Sequence, residues 1–283
     1  MIKTVLVVGA AGGIGMEVAR SLVARGDTVI ATVLDEAQAA QLNSQVPGIA
    51  RIEAVQLDDA DAVGLRIGRI LADLDRLDQV AICAAVGPIG PTELASIASI
   101  RKVLEINTLS NVAIFQAVIG ALRESKGHLL AITSMSGKIA MPFLGAYTAS
   151  KYALEGLLDV IRQEVAGDGV RVSMIEPGGV KTPMVKDQIA LVRKLESELT
   201  PELAARYGHL YRGFNAAASA GYDGQGGGST PEQVASIVVE ALNADTPETR
   251  YIVGEDAQQL LGARAAMGDR EIDGMLAQFF AGS

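Results

Sequence analysis

Thr4-Val5-Leu6-Val7-Val8-Gly9-Ala10-Ala11-Gly12-Gly13-Ile14-Gly15 opens this chain of 283 residues. Its first five residues, rich in β-branched side chains, read as a buried strand, and the glycines after them read as a tight turn leading into a helix. Glycine at 9, 13 and 15 permits that turn and a close approach of backbone to ligand. The free N–H groups of the helix start, together with the helix dipole, suit a pyrophosphate. A glycine triplet alone is an ordinary strand-to-helix turn. Its position directly after the first strand is what points to a phosphate loop.

The same alternation continues outward. Strands are expected at 4–8, 28–33, 51–57, 79–84, 128–133, 170–176 and 250–253, separated by helical stretches near 13–25, 36–42, 60–74, 100–124, 146–166 and 230–243. Alternating strands and helices of this kind predict an α/β, Rossmann-type, doubly wound parallel sheet of seven strands with helices on both faces. Its ligands belong at the carboxyl ends of the strands. One domain is expected over 1–283, with an insertion at about 184–229 that breaks the alternation and a helical tail at about 256–283. An insertion of this length is either a partly helical lid or a disordered loop. Gly224-Gln225-Gly226-Gly227-Gly228 at its end is expected to act as a hinge.

Composition sets limits. Hydrophobic residues make up 49% of the chain but aromatics only 4%, and Trp is absent, so the core must come from Ala, Val, Ile and Leu. That suits a sheet covered on both faces. The net charge of −9 argues against nucleic-acid and anionic-membrane partners, which require clustered Lys and Arg. The lone Cys83 excludes an internal disulfide and reads as a small buried hydrophobe. No metal site is expected. No apolar run approaches the roughly 20 residues of a membrane helix, and no signal peptide is visible, so a cytoplasmic location is expected.

Tyr147-Thr148-Ala149-Ser150-Lys151 opens an Ala-rich helix, and four-residue spacing puts Tyr147 and Lys151 on one face. A phenol ordinarily ionises near pH ~10, and a neighbouring ammonium favours the phenolate, which makes tyrosine usable as an acid/base. Ser134, at the end of the fifth strand, is available to hydrogen-bond a reacting oxygen. Taken singly, these are an amphipathic-helix pair and a strand-end serine. Together, downstream of a phosphate loop, they make a catalytic constellation.

In these motifs the chain resembles the short-chain dehydrogenase/reductase family. The likeness also rests on Asn107 in Ile106-Asn107-Thr108, on Thr133-Ser134-Met135-Ser136-Gly137, and on Pro177-Gly178-Gly179-Val180-Lys181-Thr182-Pro183. It implies an NAD(P)-dependent enzyme interconverting an alcohol with a ketone or aldehyde. Ser134 would orient the substrate oxygen, Tyr147 exchange its proton, and Lys151 bind the nicotinamide ribose and lower the tyrosine pKa. Asn107 would hold a water linking Lys151 to solvent. Cofactor contacts are implied for Gly9, Gly13, Ile14, Gly15, Val33, Leu34, Asp35, Asp58, Ala84, Ala85, Pro177, Gly178, Val180 and Thr182. The chain departs from the family at Cys83-Ala84-Ala85-Val86, where two asparagines are usual, so two strand-tying amides are missing.

No acid stands at Thr32 or Val33, where one would read the free ribose hydroxyls of NAD. Leu34, however, occupies a place where many NADP-dependent relatives carry arginine. A 2′-phosphate without a cation, next to Asp35, is unfavourable. NAD is therefore expected over NADP. The 250–256 segment resembles the steroid, retinoid and apolar-alcohol branch of the family, and Tyr207, His209, Tyr211 and Phe214 of the insertion are candidate substrate contacts. A homodimer or homotetramer is implied. The alternatives are a non-catalytic dinucleotide-binding regulator, or an epimerase or dehydratase on the same fold.

Overall fold

A computed structural model describes residues 2–281. Seven strands form one parallel sheet: β1 (Thr4–Val8), β2 (Thr28–Val33), β3 (Arg51–Ala54), β4 (Gln79–Ile82), β5 (His128–Ile132), β6 (Arg171–Pro177) and β7 (Arg250–Val253), in the order β3-β2-β1-β4-β5-β6-β7. The strand order reverses between β1 and β4, so a crevice opens there above the strand carboxyl ends. β3 and β4 stop short of the 51–57 and 79–84 expected. Beyond them the chain turns out over the sheet edge to line the crevice, keeping single bonds such as Val55 N–H to Val33 O and Cys83 N–H to Val8 O.

Two apolar layers cover the sheet. On one face α1 (Gly13–Ala24) packs on α9 (Pro231–Asn243), burying Val18, Leu22, Val234 and Val238, with α2 (Glu36–Gln45) adding Leu42. On the other face lie α3 (Ala60–Ala72), α5 (Ser110–Ser125) and α6 (Gly145–Val165), burying Val63, Ile67, Ile114, Val118, Leu154 and Leu158. Helices buried against a sheet need only aliphatic side chains, which accounts for the scarcity of aromatics.

The helix expected at 100–124 starts earlier and is interrupted. It consists of α4 (Ile97–Leu104), a π-helical turn (Glu105–Leu109), and α5. The wider turn lets Asn107 face inward, as π-bulges at functional sites commonly do. The stretch Ile97–Ser125 is, contrary to expectation, long and apolar enough to cross a membrane. Here Ile114, Val118 and Leu122 spend that apolar surface on the sheet, being fully buried.

The 184–229 insertion holds two helices, α7 (Pro183–Ser197) and α8 (Pro201–Tyr222). Each begins at a threonine whose side chain accepts a backbone N–H, with Pro in the first turn. After β7 come α10 (Glu255–Ala266) and α11 (Asp269–Ala281). Phe143, Val192, Tyr211, Phe214 and Phe280 form a separate apolar cluster that joins α7, α8 and α11 to the loop before α6.

Candidate active site

A cavity of about 1140 Å³ fills the crevice at the strand ends. It exceeds a drug-sized pocket of roughly 300–1,000 Å³ and has room for two ligands end to end. Gly9, Gly13, Ile14 and Gly15 line one part of it. Gly9 has φ +80°, and a Cβ there would lie 2.6 Å from the Ala84 Cβ, so only glycine fits. The start of α1 has no side-chain cap and no acidic residue in its first turn. Its N–H groups face the cavity free for an anion, and a dinucleotide pyrophosphate fits this cradle.

The other residues expected to hold cofactor mostly line the same cavity: Val33, Leu34, Asp58, Ala84, Ala85, Pro177, Gly178, Val180 and Thr182. Asp35 does not. Its carboxylate accepts the Gln38 N–H at 2.9 Å as the N-cap of α2, which turns it away from the rim. Leu34 is 51% exposed at that rim, and Gln38, absent from the sequence reading, reaches it with Oε1 accepting the Leu34 N–H at 3.1 Å. Lys102 and Lys151 are the cations lining the cavity among the described residues, and Lys102 Nζ lies 3.9 Å from Asp58.

Ser134, Tyr147 and Lys151 meet on the cavity wall between the glycine loop and an apolar chamber. Ser134 ends β5 and caps a short 3-10 turn, its hydroxyl accepting the Ser136 N–H at 3.1 Å. Lys151 Nζ donates to Ile132 O at 2.9 Å and sits 5.7 Å from the centre of the Tyr147 ring. Burial pulls the Lys151 ammonium down to about 8, while the Glu155 carboxylate acts to hold it up. For Tyr147 burial dominates and raises the phenol above its usual value, and a hydrogen bond from Ser134 opposes the rise. The lowering acts through Ser134 here, while Lys151 donates to the Ile132 carbonyl.

Asn107 departs from its expected role. It is 1% exposed and does not line the cavity. Its Oδ1 accepts the Val86 N–H at 2.9 Å, and its Nδ2 donates to Val86 O at 2.8 Å and to Ser150 Oγ at 3.0 Å. Both amide hydrogens are engaged, so Asn107 is a clamp joining the segment after β4 to α6. This clamp secures the stretch that lacks the two family asparagines. Burial pushes the thiol of Cys83, just past β4, up to about 12, which disfavours the reactive thiolate.

Of the four expected substrate residues, Phe214 alone lines the cavity. Tyr207 is half-buried, packs against the Phe143 cluster and donates its hydroxyl to Glu93. His209 is exposed on the outer face of α8. Tyr211 is 3% exposed and packs edge-on against Phe143, with ring centres 4.6 Å apart. Positions 207, 211 and 214 share one face of α8, which packs into the apolar cluster around Phe143, while 209 lies off that face. The chamber is instead lined by Met135, Met141, Leu144, Leu260, Met275 and Phe280 as well as Phe214. Three of these lie on α10 and α11, beyond the last motif, where the sequence carries no periodicity that announces a pocket.

Asp256 was also missed. Its Oδ2 accepts the Gly179 N–H at 2.7 Å and its Oδ1 the Ala257 N–H at 2.8 Å. The only hint in the sequence was its place just past β7. The glycine stretch expected to be a free hinge is tied down at its end, where Ser229 N–H donates to Gly179 O at 2.8 Å, Lys181 N–H to Ser229 O at 3.0 Å and Glu255 N–H to Gly227 O at 3.0 Å. No group of three or more His, Cys, Asp or Glu placed to hold a metal occurs among the described residues.

Comparison with known proteins agrees with this architecture. The profile of the short chain dehydrogenase family matches residues 3–191. The chain is 27% identical over 275 residues to 3-amino-tetrahydro-pyrrolizinone reductase of Xenorhabdus hominickii, covering 96% of this chain and 93% of that protein. It is 29% identical over 264 residues to human 17-beta-hydroxysteroid dehydrogenase type 6, covering 90% and 82%. Among solved structures, a short-chain dehydrogenase of Streptomyces avermitilis superposes with a TM-score of 0.77 at 23% identity, covering 98% and 96% of the two chains. One from Burkholderia cenocepacia, in complex with NADP, gives 0.72 at 20% identity, covering 98% and 97%. With its seven-stranded parallel sheet, its glycine loop and a family match across two-thirds of its length, the chain belongs to the short-chain dehydrogenase family of oxidoreductases.

Proposed function

We propose that this protein interconverts a secondary alcohol and a ketone, or an alcohol and an aldehyde, on an uncharged and largely apolar small molecule, with Tyr147 as acid/base. The observation that carries the reading is the meeting of Ser134, Tyr147 and Lys151 where the glycine-loop cradle adjoins the apolar chamber. A nicotinamide dinucleotide held at the Gly9, Gly13, Ile14 and Gly15 loop would supply or accept the hydride. Ser134 hydrogen-bonds the reacting oxygen and positions it against the Tyr147 hydroxyl. Tyr147 donates its proton to the carbonyl oxygen in reduction and takes it back from the alcohol in oxidation. Lys151, charged below about 8, supports the developing phenolate.

Substrate class follows from the chamber. Met135, Met141, Leu144, Phe214, Leu260 and Met275 present apolar surface, and a carboxylate or phosphate on the substrate would be desolvated there without a cation. The relative that acts as a hydroxysteroid dehydrogenase is consistent with such a substrate. NAD is favoured over NADP because Leu34 offers no donor for a 2′-phosphate. Arg51 is held by Glu53 at 2.7 Å and Asp73 at 2.9 Å, Lys3 lies at the opposite end of β1, and Lys102, which does line the cavity, stands 3.9 Å from the Asp58 carboxylate.

The test is a panel of steroid, aryl and aliphatic alcohols and ketones, each with NAD and NADP in the matching redox state, followed at the nicotinamide absorbance band. Turnover of an apolar member, strongest with NAD, is the expected result. Tight NADH binding with no hydride transfer to or from any member would instead identify a dinucleotide-binding regulator.

A further inference from the structure

Glu155 is a buried carboxylate that the chemistry above does not use. It stands one helical turn beyond Lys151 on α6 and is 1% exposed. Its Oε2 lies 3.0 Å from Lys138 Nζ and 3.6 Å from Arg250 Nη2. Its Oε1 presses against Gly137, where any Cβ would collide with it. Gly137 closes the turn that carries Ser134, its N–H donating to Ser134 O at 2.8 Å. The same carboxylate therefore backs the Ser134 turn and adjoins the Lys151 turn of the helix.

We infer that Glu155 is a positioning residue of the active site, which keeps Lys151 in its cationic form and props the Ser134 turn from behind. The inference rests on the roles given to Lys151 and Ser134 under the proposed function. A buried lysine loses its proton readily unless an anion accompanies it. Among the influences on Lys151, Glu155 is the largest that opposes desolvation.

The groups around Glu155 hold its carboxylate in place. Glu176 on β6, Arg250 on β7 and Lys138 beyond the Ser134 turn face it, and Asp159 and Arg162 lie further along α6. Arg250 Nε is 2.8 Å from Glu176 and its Nη2 is 2.7 Å from Asp159, which Arg162 also reaches at 3.2 Å. Burial, and after it the charge of Glu155, pushes the Glu176 carboxyl up to about 7. Arg250 from β7 thereby fixes a carboxylate whose effect falls on α6.

The test reads Lys151 directly. In the full-length protein with isotopically labelled lysine, the Lys151 side-chain NMR signal is assigned by its loss in Lys151→Met and followed against pH. Glu155→Gln is expected to lower the Lys151 midpoint by about one pH unit. Lys138→Met, at a half-exposed residue, leaves the Glu155 charge less compensated and is expected to raise it. In turnover, Glu155→Gln should reduce kcat by about twofold at pH 7 and by about tenfold near pH 9, with KM changed far less. A Lys151 midpoint unmoved by either substitution would overturn the inference. If Glu155→Gln fails to fold, the direction of the Lys138→Met shift decides. Because the midpoint is read without substrate, failure to turn over any alcohol would count against the proposed function and leave this measurement intact.

Discussion

The Asp256 carboxylate accepts the backbone N–H of Gly179 at 2.7 Å, tying the start of α10 to the loop that leaves β6. Gly178 beside it has no side chain, and a Cβ there would occupy the space the carboxylate fills. Gly178 and Asp256 both line the cavity, and this side chain adds to the backbone bonds from Gly178 N–H to Val253 O and from Ser229 N–H to Gly179 O that hold the loop there. Burial raises the Asp256 pKa, and the Gly179 and Ala257 N–H groups oppose the rise. Asp256→Ala is expected to destabilise the fold by about 1–3 kcal/mol through unpaired N–H groups and to weaken NADH binding severalfold. Thermal unfolding and NADH fluorescence titration measure the two effects, and unchanged NADH affinity would show that the loop holds its place without Asp256.

Tyr147→Phe removes a hydroxyl and keeps the ring. Turnover is expected to fall by about 10²–10⁴-fold with NADH affinity nearly unchanged, as loss of a positioned acid/base implies. Near-normal turnover in this variant would exclude Tyr147 as the proton donor.

Cofactor choice is expected to turn on Leu34. Wild-type protein should bind NAD more tightly than NADP, and Leu34→Arg should shift preference toward NADP by supplying a planar bidentate donor. Asp35→Ser adds to the shift and preserves the α2 cap, since serine also caps a helix. Dissociation constants for both cofactors in the wild type and the two variants provide the measurement. Tighter NADP binding by the wild type would point to a donor such as the Gln38 amide or Lys102.

His128 gives the fold a pH dependence of its own. It is fully buried, with Nε2 3.0 Å from Ser173 Oγ, and burial lowers its pKa to about 3. Unfolded, it titrates near 6.5, so between those values the unfolded chain binds more protons and stability falls as pH drops. The slope from this one group is about 1.4 kcal/mol per pH unit. Glu176, with a raised pKa, works in the opposite sense near neutrality. A comparison of denaturant unfolding between wild type and His128→Gln from pH 7 to 4 isolates the histidine, and the variant should lose less stability on acidification.

Assembly is expected through α6. Ala149, Tyr152, Ala153, Gly156, Leu157 and Val160 form an exposed stripe in which small residues permit close helix approach, and Tyr152, Leu157 and Val160 are 41%, 37% and 50% exposed. A two-fold axis along this stripe would bury it in a dimer or tetramer. Light scattering should give a multiple of 29.4 kDa, reduced to the single-chain mass by Leu157→Arg. A wild-type monomer at micromolar concentration would exclude the interface.

Features governed by neighbours in the chain were legible in advance. Thr4–Val8 had to be a strand because five mostly β-branched residues, four of them apolar, end at a glycine turn, and Gly9 had to be glycine because the chain reverses there. The spacing of Tyr147 and Lys151 follows from helical periodicity alone. The direction in which a side chain points on an element of unknown packing was not legible. Tyr207, His209, Tyr211 and Phe214 stand together in the sequence, yet α8 exposes His209, packs Tyr207 and Tyr211 on the aromatic cluster and brings only Phe214 to the cavity.

By itself the sequence determined the parallel sheet, the phosphate loop and the Ser134–Tyr147–Lys151 set, because hydrophobic period, glycine position and residue spacing are local properties. The tertiary structure decided that Asn107 clamps Val86 and Ser150, that Asp35 caps α2, that Asp256 holds Gly179, and that Glu155 stands behind Ser134. Apart from the Asp35 cap, each of these contacts joins residues more than about 15 positions apart, and even Asp35 had a choice between rim and cap. Which partner a polar group finds depends on the packing of whole helices against the sheet, where burial makes an unpaired donor or charge too unfavourable to persist.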